Sequence, residues 1–289
     1  VGTKNEAGHI KLSDFMKRAA DGTTLVYSES KAALEDAIKK SPKGIIFDLR
    51  DNGGGLLTES VRIASMFLKK GLVVLQTKDL KGGSTKQFKT ADAPVTDLPL
   101  VILINGRSAS ASEIVAGALQ DHQRAYIIGE RSFGKGTVQN IGPIASEPKL
   151  MLAQTIQRFY QPSGRTNQVE GILPDVEAYI NPAPTDADKV AFREEDEYAA
   201  LPPVGNKWVQ PRPTEVAKLK ACLDKGEAKA NFAKDEAAGI PTDYQLSVAI
   251  DAVNCIADEK LWTPDMVGPT WADQVPESPI SDFFKNIFQ

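Results

Sequence analysis

The chain has 289 residues, 42% of them hydrophobic and 25% charged, with a formal net charge of -4. This is a globular composition, long enough for one large domain or two, and its acidic balance argues against a nucleic-acid partner. No run approaches the roughly 18 apolar residues of a membrane helix, and the only histidines, His9 and His122, leave little room for Ser-His-Asp chemistry or a metal centre.

Residues 9–14 carry Ile10 and Leu12 in a short strand alternation. Residues 30–40 place Leu34, Ala37 and Ile38 at helical spacing, with Ser30 as the N-cap. Ser41-Pro42-Lys43-Gly44 breaks that helix. Ile45 to Leu49 follows as an apolar run suited to a strand buried on both faces. It runs into Asn52-Gly53-Gly54-Gly55, after which Leu57, Val61, Ala64 and Leu68 share a helical face. Val73 to Leu75 is a further strand, and residues 78–97 suit a hairpin or exposed loop around Gly82-Gly83. Leu100 to Ile104 is another buried strand, Ile114 to Leu119 a helix, and Tyr126 to Ile128 a strand again.

This alternation predicts an α/β domain with a mostly parallel sheet. Its two special turns, at Gly53–Gly55 and Ser108–Ser112, follow the C-terminal ends of strands, where sites in such sheets collect. Residues 149–160 alternate more strictly and suggest an antiparallel edge strand; Gly171 to Val176 reads as a closing turn. The expected organisation is a core over residues 1–180, a Pro-rich linker or wrap over 181–213, and a helical C-terminal extension with its tail over 214–289, with helices near 214–224 and 243–257. Cys222 and Cys255 fall in that extension. They read first as small buried residues on two helices, with a disulfide as the alternative. The start at Val1 reads as that of a processed or trimmed precursor, with no signal peptide in view.

The stretch 105–139 concentrates the chemistry. Ser108, Ser110 and Ser112 alternate with Ala109 and Ala111 at the start of a helix, with Glu113 just after them. Such a run makes a good N-cap. It also sets a hydroxyl beside free backbone N–H groups, which suits a nucleophile with an oxyanion donor. Lys135, between Gly134 and Gly136, is a candidate base once desolvated, and Gln139 could hold its amine without adding charge. Gly53–Gly55 is no P-loop, because Leu56-Leu57 stands where Lys-Ser/Thr would be needed. Its exposed N–H groups better suit a second oxyanion donor.

Four blocks, in this order, resemble the carboxyl-terminal processing (tail-specific) proteases of peptidase family S41. They are Asp48 to Gly55, Ser108 to Glu113, Gly129 to Gln139, and Tyr160 to Arg165 with Gly171 to Val176. The resemblance implies Ser110 as nucleophile, Lys135 as general base, Gln139 as the residue positioning Lys135, and an oxyanion hole from the N–H groups of Gly55 and Ala111. It implies a crotonase/ClpP-like α/β core with a small cap. A PDZ domain is expected before the core in this family, and none is legible ahead of Ile10. It implies no cofactor, no metal and no nucleic acid. Expected partners are peptide or protein substrates with apolar C-termini, cut through an acyl-enzyme. It leaves room for peripheral membrane association and oligomerisation, in a bacterial periplasm or cell envelope. The rival readings are a non-catalytic peptide- or lipid-binding module on the same fold, a crotonase-like acyl-CoA enzyme and a scaffold fragment. The combination of Ser110, Lys135 and Gln139 favours the peptidase.

Overall fold

The computed structural model describes residues 7–80, 85–187, 192–197, 199–239 and 242–264. The first half of the chain runs β1 (Ala7–Lys11), α1 (Val26–Ile38), β2 (Gly44–Asp48), α2 (Leu57–Ser65), β3 (Val73–Asp79), β4 (Thr85–Lys89) and β5 (Leu100–Ile104). Then come α3 (Ala111–Asp121), β6 (Tyr126–Gly129), β7 (Thr137–Ile144), β8 (Glu147–Tyr160) and β9 (Val176–Glu177). Four helices follow: α4 (Glu194–Glu197), α5 (Pro213–Leu223), α6 (Ala228–Ala237) and α7 (Tyr244–Asp258).

Five strands form a wholly parallel sheet in the order β1-β2-β5-β6-β9. Its inner strands are apolar on both faces, because side chains alternate and both faces are covered. Ile45, Phe47, Ile102, Ile104 and Ile127 face a core shared with α1, α2 and α3. Ile46, Val101, Leu103, Tyr126 and Ile128 face the opposite core, filled by α5 and α7 through Leu219, Ala249, Val253 and Ile256. The C-terminal helices thus bury the second face of the sheet.

A second, antiparallel sheet has the order β4-β3-β8-β7. The expected hairpin after β3 is present as β4, and its tip lies outside the described residues. Residues 149–160 are not an edge strand. Gln157 to Tyr160 pair with β3 and Glu147 to Arg158 pair with β7, so β8 lies between the two at its C-terminal end, pairs with β7 alone before Gln157, and β7 takes the edge. Two other local expectations change, and one helix was not foreseen. Ser30 lies buried inside α1, which starts a turn earlier, at Val26, and has Leu25 at its N-cap. The segment read as a closing turn ends in β9, which pairs with β6. Helix α6 had no legible apolar stripe; of its residues only Ala228 is buried.

Cys222 and Cys255 form a disulfide joining α5 to α7. Behind the glycine turn, Arg50 ties this extension to the core. Its guanidinium donates to Asp48 Oδ2 at 2.6 Å and to both carboxylate oxygens of Asp243, each at 2.8 Å. Asp243 also caps α7 by accepting from the Leu246 N–H at 2.9 Å. Burial opposes the charge on Asp48, but hydrogen bonds from Arg50 and His9 outweigh it and hold the carboxyl well below the ordinary range.

Candidate active site

The two special turns meet at the C-terminal edge of β2 and β5, and Asn52 fastens them together. Its carbonyl accepts from the Ala109 N–H at 3.0 Å and from Ser112 Oγ at 2.9 Å. Its side-chain oxygen accepts from the Gly54 N–H at 2.9 Å. Gly54 has φ +97°, and a Cβ there would stand 2.9 Å from Ser110 Cβ and 2.7 Å from the Ala109 carbonyl oxygen. Only glycine lets the first turn lie against the second this closely.

Of the three alternating serines, two are committed to structure. Ser108 Oγ is fully buried and donates to the Leu49 carbonyl at 2.8 Å; Ser112 is fully buried on Asn52. Ser110 is only partly buried and lines a cleft of about 700 Å³. Its backbone has φ 54° and ψ -109°, a conformation that L-residues rarely adopt and that costs on the order of 1–3 kcal/mol. Strain of this kind persists where the surroundings over-determine it, and here they do.

The residue that does so is Glu113, on the first turn of α3. Its carboxylate is fully buried. Oε2 accepts from the Ser110 N–H at 2.8 Å and from the Lys135 N–H at 2.9 Å. Oε1 accepts from Ser132 Oγ at 2.6 Å and from the Gly134 N–H at 2.8 Å. One side chain therefore fixes the backbones of both candidate catalytic residues. Burial pushes its pKa up to about 7 against the pull of those four donors. In the sequence Glu113 was legible only as the third helical residue after an N-cap serine. Nothing in its spacing announced the contacts to Ser132 and Lys135.

Lys135 Nζ donates to Gln139 Oε1 at 2.9 Å, across the start of β7. Gly55, Ser110, Lys135 and Gln139 line the same cleft. Ala111 lies directly behind Ser110, with its nitrogen 2.9 Å from where a Gly54 Cβ would stand. Among the described residues, no backbone hydrogen bond engages the N–H of Gly55 or of Ala111. Four of the five residues singled out in the sequence thus line one opening, and the fifth, buried Ala111, follows Ser110 in the chain. No group of three or more potential metal ligands occurs among the described residues. What the arrangement offers chemically is a hydroxyl on a strained backbone, an amine lining the same cleft and held by a neutral amide, and unengaged N–H groups.

The sequence profile of peptidase family S41 matches residues 6–178. The chain belongs to peptidase family S41. It is 42% identical over 178 residues to a carboxy-terminal-processing protease of Bartonella bacilliformis, covering 60% of this chain and 39% of that protein. It is 37% identical over 168 residues to a carboxyl-terminal-processing protease of Synechocystis, covering 58% and 37%. Among solved structures, the photosystem II D1 C-terminal processing protease superposes with a TM-score of 0.52 at 31% identity, over 64% of this chain and 45% of that one. The chain spans about two-fifths of the length of the curated relatives it matches.

Proposed function

We propose that this S41 chain is a serine endopeptidase that cuts protein substrates near their C-termini with a Ser110–Lys135 dyad. The reading is carried by one observation: Ser110, on a strained backbone and lining the cleft, shares the Glu113 carboxylate through its N–H with the N–H of Lys135, whose amine Gln139 holds.

In the proposed reaction, Lys135 acts as a neutral amine and takes the proton of Ser110 Oγ as that oxygen bonds to the scissile carbonyl carbon. The carbonyl electron pair moves onto oxygen, where the N–H groups of Gly55 and Ala111 stabilise it; one such donor is worth about 10²–10³ in turnover. Collapse of the adduct breaks the C–N bond, and the Lys135 ammonium returns its proton to the leaving amine. A water then gives a proton to Lys135 as it attacks the acyl-enzyme, and that proton restores Ser110 on release of the carboxylate. Gln139 accepts from the amine without supplying a negative charge that would keep it protonated. The edge strand β7 beside Lys135 suits an extended peptide added as a further strand. We further propose a bacterial periplasmic or envelope location, by analogy with the family alone.

The test is hydrolysis of unfolded protein and C-terminal peptides by this chain, with products mapped by mass spectrometry. Ser110→Ala and Lys135→Ala should each abolish cleavage while leaving the circular dichroism spectrum intact. Cleavage at the wild-type rate by either variant would refute the dyad.

A further inference from the structure

Lys135 and Gln139 stand between two openings. The first holds Ser110. The second is a cleft of about 620 Å³ on the far side of the lysine, within the range of about 300–1,000 Å³ typical of ligand sites. Gly53, Lys135, Thr137 and Gln139 line both, so the two are continuous across the candidate dyad. The outer wall of the second cleft comes from residues 192–197 and 199–201, in the Pro-rich stretch after β9. That stretch lies beyond the part of the chain matching the family profile, which ends at residue 178.

This wall is built in. The Glu194 N–H donates to the Phe133 carbonyl at 3.1 Å. The Glu194 side chain is buried and accepts from Gln168 Nε2. Arg158 donates to the Pro202 carbonyl at 2.7 Å. Gly106, which precedes the serine run, permits the approach of the wall to the catalytic turn: a Cβ there would stand 3.2 Å from the Phe192 nitrogen. Phe192 is held between Phe133, at 5.6 Å between ring centroids, and the Arg107 guanidinium, 5.8 Å from its ring centroid. Yet 42% of its surface remains exposed. A large aromatic side chain pinned in place but left partly uncovered in the cleft that Lys135 also lines, with Leu201 beside it in the lining, offers an apolar contact that nothing among the described residues fills.

We propose that this second cleft is a specificity pocket, in which Phe192 receives a large apolar side chain of the peptide lying on one side of the scissile bond. The occupant follows from continuity: a chain crossing Lys135 from the Ser110 cleft must enter this one. Two polar groups of the cleft are already engaged with neighbours, Glu194 with Gln168 and Lys135 with Gln139, whereas 42% of the Phe192 surface is exposed among the described residues. The proposal rests on the peptidase reading for its substrate class, but its test does not require cleavage.

The experiment titrates fluorescein-labelled peptides into the full chain carrying Ser110→Ala, reading anisotropy. The peptides form a decamer series, all alanine and serine apart from a single Phe, Leu, Asp or Lys moved along the positions. The expected result is one position at which Phe binds about tenfold or more tightly than Asp or Lys. Adding Phe192→Ala should collapse that ratio, and Phe192→Leu, which keeps an apolar wall, should retain part of it. Circular dichroism of each variant guards against loss of fold. A ratio unchanged by Phe192→Ala, or the absence of any position preferring Phe or Leu, would overturn the proposal. Loss of cleavage by the Ser110-containing chain would instead count against the peptidase reading alone, because the binding ratios are read without turnover.

Discussion

Replacing Glu113 by glutamine separates the charge of that side chain from its shape. The carboxylate accepts four hydrogen bonds, two at each oxygen. Glutamine keeps one acceptor oxygen and turns the other into a donor. With the amide nitrogen at Oε2, two backbone N–H groups, of Ser110 and Lys135, would lose their acceptor. With it at Oε1, the Ser132 hydroxyl can turn to accept, which leaves the Gly134 N–H and that hydroxyl's own hydrogen without an acceptor, while Ser132 Oγ still accepts from the Ile172 N–H. The second arrangement therefore wins, because a hydroxyl can rotate and a backbone N–H cannot, at a cost of about 1–3 kcal/mol for the buried Gly134 N–H alone. Against this stands the cost of the buried charge. A rise in the Glu113 pKa from 4.5 to about 7 corresponds to about 3 kcal/mol. The native pKa lies above the unfolded one, so the associated stability is full below pH 4.5 and is lost as the pH rises through 7. Glutamine does not titrate. In urea unfolding, Glu113→Gln should therefore be less stable than wild type by about 1–3 kcal/mol near pH 4.5. The gap should close by about 3 kcal/mol by pH 8, leaving the two nearly equal or the variant slightly ahead. A gap that is constant with pH, or one that widens on alkalinisation, would show that the four donors hold the carboxylate ionised and that burial does not dominate.

Further consequences concern the amine and the C-terminal helices. Gln139→Glu places a negative charge 2.9 Å from Lys135 Nζ and stabilises the ammonium. The pH–rate profile for peptide hydrolysis should move to higher pH, with turnover at neutral pH falling tenfold or more, on the order of a general-base contribution; an unmoved profile would exclude Lys135 as the base. Asp243→Ala removes the α7 cap and one carboxylate of the Arg50 cluster, so the urea midpoint should drop by the equivalent of about 1–3 kcal/mol. A null effect would mean that Asp48 and Gln245 satisfy Arg50 without Asp243. Reducing the Cys222–Cys255 bond, which closes a loop with a sequence separation of 33, should cost about 3–4 kcal/mol on the chain-entropy estimate. Comparing thermal unfolding with and without reductant checks this, and equal midpoints would count against it.

The parallel sheet was legible because its inner strands are short apolar runs followed by glycine- and serine-rich turns, a pattern set by burial on both faces. The site was legible because its groups are local: Ser110, Ala111, Lys135 and Gln139 fall within thirty residues, and Gly55 sits in the other recognisable turn. What escaped was non-local. The internal position of β8 depends on pairing with β3, some eighty residues earlier, and no periodicity within residues 149–160 encodes that partner. Helix α6 contributes only Ala228 and a half-buried Phe232 to the core, too few for an apolar stripe to read. The disulfide was one of two open readings, because two cysteines on separate helices do not declare their distance. Glu113 looked like an ordinary capping glutamate, and Phe192 like one residue of a Pro-rich linker. Each takes on its role from groups that other parts of the chain bring to it.

The central claim is that Ser110 is a nucleophile activated by Lys135. Its most direct test is reaction of the folded chain with a fluorophosphonate probe, followed by tryptic mass spectrometry. The predicted result is a single adduct on Ser110, forming about 10²-fold or more slowly in Lys135→Ala. An adduct on Ser108 or Ser112, or labelling of Ser110 undiminished by Lys135→Ala, would contradict the account.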